Sequence, residues 1–235
     1  MAADLLNISD LTLHYGGSLI LHAVDITARQ GQVTCVMGTN GVGKTSLLKA
    51  ISGTHPRSGG DYVLNGKKIG NVTSFELARK GVAYVPQGRE IFPFLTVREN
   101  LEIGFACLPR SDHAIPSYIF ELFPVLKEFL SRRGGDLSGG QQQQLAIARA
   151  LITKPKILLL DEPTEGIQPN IIKQIGEVVG LLRDQGEMAI VLVEQFFEFA
   201  YSLGDEFLVL ERGTPHLRGS KCQIGKEQLR SAVSV

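Results

Sequence analysis

The chain has 235 residues, 43% of them hydrophobic, and its 24 basic and 24 acidic side chains leave a formal net charge of zero. This length predicts one large domain or a domain with a substantial subdomain. The balanced charge argues against a nucleic-acid-binding protein, because such proteins usually carry a basic excess. Cys35, Cys107 and Cys222 are far apart and lack metal-ligand spacing, which indicates a reducing compartment.

No targeting or membrane segment is recognisable in the sequence. Residues 1–7 lack the basic stretch followed by an apolar stretch that a secretory signal requires. The apolar runs are shorter than the roughly 20 residues that cross a bilayer as a helix. A location at a membrane would therefore have to come from contact with another protein.

Strands and helices alternate along the chain with glycine-rich joints, which predicts an α/β fold. Apolar repeats at helical spacing follow Pro116 and Ser117, and they indicate helical structure inserted into the α/β core between residues 87 and 150. The sequence beyond Arg212 looks less regular, and we assign it no role. The strands are predicted at 12–15, 20–27, 33–37, 62–64, 157–160, 189–193 and 206–210, and helices at 44–52 and around Ile171, Ile175, Val178 and Leu182.

A glycine-rich loop joins the strand at 33–37 to the helix at 44–52. Its residues, from Gly38 to Thr45, have the spacing of a P-loop. Glycine lets the backbone N–H groups surround a polyphosphate without obstruction by a Cβ, and the helix adds its positive end. Lys44 can then reach the β- and γ-phosphates, and the Thr45 hydroxyl can bind Mg²⁺. The loop predicts a nucleotide triphosphate site.

Two carboxylates follow the apolar strand at 157–160. Ligand sites in open α/β sheets lie at the carboxyl ends of the strands, where Asp161 and Glu162 are expected. We expect Asp161 to hold Mg²⁺ and Glu162 to accept a proton from an attacking water molecule. The chain is therefore interpreted as a nucleotide triphosphatase.

Small residues open a further helix after Leu137. Ser138 and the N–H groups of Gly139 and Gly140 can form a second anion-binding surface. Taken alone, this pattern is weak, and an ordinary helix N-cap explains it better.

With these three motifs in order, the chain resembles the ATP-binding subunits of ABC transporters from about residue 5 to residue 212. The resemblance implies one ABC-type ATPase domain over residues 1–235, with a P-loop NTPase core, a mostly parallel sheet and an N-terminal antiparallel β-subdomain. Residues of about 1–86 and 152–235 would form the core and β-subdomain, and about 87–151 the helical subdomain with the signature motif. ATP and Mg²⁺ are the implied cofactors.

The resemblance also implies roles for single residues. In this family two ATPase domains face each other head to tail, so the signature residues would contact the nucleotide of the partner chain. Tyr15 would stack on adenine, although an ordinary strand aromatic is the alternative. The implied ATP-binding residues are Tyr15, Gly38, Asn40, Gly41, Gly43, Lys44, Thr45 and Ser46; the signature residues are Ser138, Gly139, Gly140 and Gln141; the catalytic residues are Glu162, Gln87 and Gln195; and the metal-binding residues are Thr45, Gln87 and Asp161.

Two positions depart from the common family pattern. Gln195 stands where many members have His, and it can hydrogen-bond a phosphate but cannot become cationic. Gln168 stands where Asp is common. We expect hydrolysis all the same, because Glu162 is present. With these departures, the chain resembles the ATPase subunits of branched-chain amino-acid and urea importers. The stretches 132–140, 165–169 and 193–196 look closer to the urea-type subunit.

We therefore expect the ATP-hydrolysing subunit of an importer, with urea as the solute. A branched-chain amino-acid or amide importer subunit is one alternative. A nucleotide-gated regulatory half with little turnover is another, and Gln195 favours it. An ABC ATPase acting on DNA or ribosomes fits poorly, since the long insertions or second ATPase half usual in such proteins are not seen.

The expected partners follow from the same resemblance. They are membrane permease subunits, a sister ATPase subunit in a heterodimer or a second copy in isolation, and indirectly a periplasmic solute-binding protein, with no nucleic acid. The permease contact is expected at residues 89–100, where the aromatic segment 92–95 has internal packing as its alternative. The chain would then lie peripherally at the cytoplasmic face of the inner membrane.

Overall fold

The computed structural model describes residues 2–233, and their strands form two sheets. One sheet is antiparallel, with the spatial order β2 (Ser18–Arg29), β1 (Asp4–Tyr15), β4 (Gly59–Leu64) and β5 (Lys67–Lys68). The second sheet is parallel except for the pair formed by its two C-terminal strands, which is antiparallel. Its order is β10 (Thr214–Ser220), β9 (Glu206–Glu211), β3 (Val33–Met37), β8 (Ala189–Val193), β7 (Ile157–Asp161) and β6 (Val82–Val85).

Helices cover the parallel sheet and occupy the chain between β6 and β7. Of the helices that the structure describes, none combines the length and apolar character of a bilayer span. They are α1 (Lys44–Ser52), α2 (Ser74–Arg79), α3 (Val97–Glu102), α4 (Ser117–Leu122), α5 (Pro124–Glu128), α6 (Gly139–Ile152), α7 (Pro169–Asp184), α8 (Phe197–Leu203) and α9 (Lys226–Val233), with 3₁₀ turns at Ile103–Cys107, Arg110–Asp112 and Gly134–Asp136.

The central strands are apolar because both of their faces are covered. Every residue of β3, β7 and β8 is buried. Continuous Val, Ile and Leu runs are typical of such parallel strands, and each fully buried side chain contributes about 1.5–3 kcal/mol. Asp161 pairs with Val193, and Val36 pairs with the same residue, so the carboxyl ends of the three strands meet at one edge. The candidate site lies at that edge.

Two differences from the predicted elements have physical causes. The helical stretch after Ser117 is divided into α4 and α5, because Pro124 lacks an N–H and forces Phe123 out of helical geometry. The tail beyond Arg212 is regular, so our expectation there was wrong. It contains β10, which pairs with β9, and α9, whose Leu229 is fully buried.

Candidate active site

The phosphate loop occupies the turn between β3 and α1. Gly38 has φ of +140°, and a side chain there would clash with the carbonyl oxygen of Leu210 in β9. Gly43 has φ of +105°, and a Cβ there would lie 2.8 Å from the Leu21 side chain. Gly41 also has a positive φ but faces open space. Close packing below and an open face above explain why this loop needs glycine.

Lys44 is the first residue of α1, and its side chain is only 4% exposed. Its Nζ donates to the carbonyl oxygens of Gly38 and Thr39, both at 2.9 Å, and lies 3.6 Å from Oε1 of Glu162. Burial lowers the pKa of Lys44, while the nearby Glu162 carboxylate opposes that shift. The ammonium group therefore lies between the phosphate loop and the carboxylate at the end of β7.

Asp161 is the last residue of β7 and is 1% exposed. Its Oδ1 accepts a hydrogen bond from the Thr45 hydroxyl at 3.1 Å, and its Oδ2 accepts one from the Tyr84 hydroxyl at 3.0 Å. Burial raises the pKa of Asp161, against the effect of these two hydroxyl groups. A hydroxyl and a carboxylate oxygen side by side are the ligands that Mg²⁺ prefers, so Thr45 and Asp161 fit that ion.

Glu162 follows β7 in a left-handed backbone conformation, with φ of +45°. Its N–H donates to the carbonyl oxygen of Val193, which holds the residue against the end of β8. Its Oε1 accepts a hydrogen bond from Nε2 of Gln195 at 2.6 Å, and its Oε2 accepts one from Nε2 of Gln87 at 3.3 Å. Three distant segments of the chain thus meet at one carboxylate.

The groups predicted to hold ATP line one cleft of about 420 Å³ together with the groups predicted to act in hydrolysis. Gly38 and Asp161, which were also predicted to act at this site, are not among the described residues that line the cleft. Tyr15 lies at its rim, 40% exposed, with its ring centroid 4.3 Å from that of His55, so one face of an aromatic pair borders the cleft. The lining residues are Tyr15, Ile20, Asn40, Gly41, Gly43, Lys44, Thr45, Ser46, Gln87, Glu162, Glu165 and Gln195.

The predicted signature residues lie elsewhere. Ser138 caps α6: its hydroxyl accepts from the Gln141 N–H at 3.4 Å, and the Gln141 side chain accepts from the Ser138 N–H at 2.9 Å. Gly140 packs so closely on Ile171 that a Cβ would lie 2.9 Å from it. Among the described residues that line the cleft, none comes from this motif. Its predicted role toward a partner's nucleotide stays a prediction.

Several residues of the site were missed from the sequence. Tyr84 lies on β6, and its hydroxyl reaches Asp161 only because β6 pairs with β7. Glu165 accepts a hydrogen bond from Gln87 at 3.0 Å and lines the cleft. Glu194, buried directly after β8, lies in the stretch 193–196 next to Gln195, but no role was predicted for it. Knowledge of which strands are neighbours in the sheet would have identified these residues, but a single sequence does not contain that information.

The sheet order and the glycine-rich loop define a P-loop NTPase, which confirms the predicted fold class. A family model described as "ABC transporter" matches residues 21–165, which is more than half of the chain. The chain belongs to the ABC transporter family, and it is an ATPase of the kind that serves transporters.

Similar proteins include the high-affinity branched-chain amino acid transport ATP-binding protein BraG of Pseudomonas aeruginosa, 40% identical over 89% of this chain and 90% of that protein. A probable branched-chain amino acid transport ATP-binding protein, LivF of Archaeoglobus fulgidus, is 35% identical over 87% of each chain. Among solved structures, the ADP conformation of an ATP-binding cassette of an ABC transporter has a TM-score of 0.85 at 27% identity, covering 99% of this chain and 95% of the other.

Proposed function

We propose that the cleft binds Mg–ATP and hydrolyses its γ-phosphate bond. The proposal rests on one observation: Lys44 lies 3.6 Å from Glu162 while Thr45 bonds Asp161, so the phosphate loop and the acidic strand end converge. The loop N–H groups and Lys44 bind the phosphates. Thr45, Asp161 and Gln87 would hold Mg²⁺, which neutralises phosphate charge when bound. Tyr15 borders the adenine.

Glu162 is the proposed general base. Gln195 and Gln87 orient its two oxygens through their amide N–H groups, since both contact the carboxylate directly. A positioned base contributes about 10²–10⁴ in rate. Gln195 cannot take a proton at neutral pH, so it acts as a neutral donor to Glu162 or to the γ-phosphate. The contact between Gln195 and Glu162 favours an active site over the alternative of a regulatory half with little turnover.

A second ATPase chain completes the site in this proposal. The surface around Ser138, Gly139 and Gly140 supplies hydrogen-bond donors at the start of the 14-residue helix α6. It would contact the ATP held by the other chain, which is a sister subunit or, for the isolated protein, a second copy.

We further propose that the chain drives an importer of small solutes through membrane permeases, at the cytoplasmic face of the membrane, supplied by a solute-binding protein. Phe94 is 85% exposed and Phe92 is 47% exposed in the segment before α3. Internal packing does not account for Phe94, so this segment suits a permease contact.

Branched-chain amino acids are the solutes that the named relatives favour, with up to 40% identity over most of the chain. Urea remains the second candidate, because the stretches at 132–140, 165–169 and 193–196 resemble urea-type subunits. In either case the side chains of the cleft would bind ATP and not the solute, so only transport measurements can distinguish the two solutes.

Uptake measurements test the proposal. Cells lacking the protein are complemented with the wild type or with Lys44→Ala, and labelled leucine and labelled urea are supplied separately. Wild type, but not Lys44→Ala, is expected to restore uptake of one of them, with leucine as the favoured solute. No restoration of either would contradict an importer of this group. Steady ATP hydrolysis by purified protein, abolished by Lys44→Ala, would dismiss the regulatory alternative.

A further inference from the structure

Glu194 is a buried carboxylate that the proposed mechanism does not use. It directly follows β8 and is 2% exposed. Its Oε1 accepts hydrogen bonds from the Thr164 N–H at 3.1 Å and the Thr164 hydroxyl at 2.7 Å. Its Oε2 accepts from the N–H groups of Gln195 at 3.0 Å and Phe196 at 3.1 Å. Each carboxylate oxygen therefore accepts hydrogen bonds from a different loop.

These two loops carry the groups that meet at the candidate base. The loop after β7 runs from Glu162 to Thr164, and the loop after β8 runs from Glu194 to Phe196. Gln195 closes the arrangement by donating to Glu162 at 2.6 Å. Resting on the proposed roles of those two residues, we infer that Glu194 is a positioning residue that holds Gln195 against Glu162 during hydrolysis.

The chemistry of the contacts favours an ionised carboxylate. All four groups that face Glu194 are donors, and an ionised carboxyl group has only acceptor sites. An amide at this position would turn its NH₂ group toward the donors of one loop, so it could hold one loop and not both. Burial raises the pKa of Glu194, and the hydrogen bonds from Thr164, Gln195 and Phe196 oppose that shift. Hydrogen bonds to an ionised carboxylate are the strong ones, so these four favour the charged form.

The test compares Glu194→Gln, Gln195→Ala and the double variant in the full-length protein. Glu194→Gln is expected to lower kcat for ATP about 10- to 100-fold, since small displacements of reacting groups cost that much. The KM for ATP should stay within about twofold, because Glu194 contacts no group of the phosphate loop. The double variant should be no slower than Gln195→Ala, because both changes remove the same contact.

Hydrogen exchange gives a readout that does not depend on turnover. In Glu194→Gln, amides in peptides covering 163–166 or 194–197 should exchange faster than in the wild type. Thr164→Val, which removes one of the four bonds, is a milder variant with a smaller expected loss of kcat. Glu76→Gln is the matched control, because Glu76 also accepts from a threonine hydroxyl and N–H, but on α2. It should change neither readout.

Several outcomes would overturn the inference. They are unchanged exchange at both loops of Glu194→Gln, unchanged kcat while Gln195→Ala is slow, or losses that multiply in the double variant. A fold-stabilising role alone would give that multiplication. Failure of the proposed function looks different: Glu162→Gln and Gln195→Ala would each leave hydrolysis unchanged.

Discussion

At the scale of single residues, the site depends on an uncommon backbone conformation at Glu162. Its φ of +45° is costly for a residue with a Cβ, and such strain persists only where surrounding contacts hold it. The hydrogen bonds from Gln195 and Gln87 to its carboxylate, and from its own N–H to Val193, supply those contacts. The conformation turns the carboxylate back toward the ammonium group of Lys44.

Replacing this carboxylate by an amide should separate hydrolysis from binding. Glu162→Gln keeps the size of the side chain but cannot accept a proton, so we expect hydrolysis to fall about 10²- to 10⁴-fold. ATP affinity should change little. Single-turnover hydrolysis and equilibrium ATP binding measure the two quantities. Glu177→Gln, on the exposed face of α7, is the control and should match the wild type. Equal rates for Glu162→Gln and wild type would remove Glu162 from the base role.

Replacing Asp161 should stabilise the nucleotide-free protein while it removes the response to Mg–ATP. Burial disfavours its charge, so Asp161→Asn should raise the Tm of the nucleotide-free protein by about 2–4 °C, or about 1 kcal/mol. The same change should abolish the further rise in Tm that Mg–ATP gives the wild type, because ligand binding stabilises only a competent site. Thermal unfolding measures both effects. Asp184→Asn, at an exposed position, should alter neither.

The stabilisation by Asp161→Asn should also depend on pH. The pKa of Asp161 in the folded protein is raised, so the folded chain binds a proton more readily than the unfolded chain. Its contribution to the free energy of unfolding is therefore present at low pH and is lost as the pH rises through the folded pKa. The advantage of Asp161→Asn should shrink when Tm is measured at progressively lower pH. A constant advantage would contradict the assignment to charge burial.

A residue's place in the site could be predicted where a sequence motif defines it. It could not be predicted where the residue reaches the site only through the pairing of strands. Lys44 and Thr45 follow from loop spacing, and Asp161 and Glu162 from the end of an apolar run, so they could be named from the sequence. Tyr84 and Glu194 reach the site across neighbouring strands. Their contacts depend on the sheet order, which local patterns do not contain.

At the scale of elements, helix α9 contacts α8, the helix that follows Gln195. Leu229 of α9 is fully buried, whereas Glu198 of α8 forms exposed ion pairs with Lys226 and Arg230. Buried apolar area outweighs exposed ion pairs in such a contact, because solvent screens the charges.

This comparison predicts unequal effects of two substitutions. Leu229→Ala should lower the free energy of unfolding by about 2–5 kcal/mol through the lost burial and the cavity. Glu198→Gln should cost less than about 1 kcal/mol. Urea unfolding of the full chain measures both. Leu181→Ala removes a leucine that is 54% exposed on α7 and should cost little. A larger loss for Glu198→Gln than for Leu229→Ala would reverse the argument.

Element prediction succeeded where one pattern dominated. The bounds of β3, α1 and β8 agree with the sequence, because uniform apolar runs and glycine limits define them. Helix α9 escaped notice since its residues 226–233 are mostly polar and bury Leu229 on one face only. The division of α4 from α5 could have been foreseen at Pro124, whose effect is local.

At the scale of the whole molecule, the separation of the signature residues from the cleft has a testable consequence. If each ATP needs both chains, Lys44→Ala and Ser138→Arg should each inactivate a homodimer. A mixture contains dimers with one intact composite site. With random association, about one quarter of the wild-type activity should return in an equal mixture. Steady-state hydrolysis measures this, and equal inactivity of the mixture and the single variants would contradict shared sites.

The turn between β9 and β10 lies directly behind the phosphate loop. Gly213 donates its N–H to the carbonyl oxygen of Val42 and accepts from the N–H of His22, with φ of +79°. During synthesis, β3 and the glycine-rich segment leave the ribosome long before this turn exists. The hydrogen bond from Gly213 to Val42 can therefore form only after Gly213 has emerged, so the phosphate loop gains this backing contact well after its own synthesis.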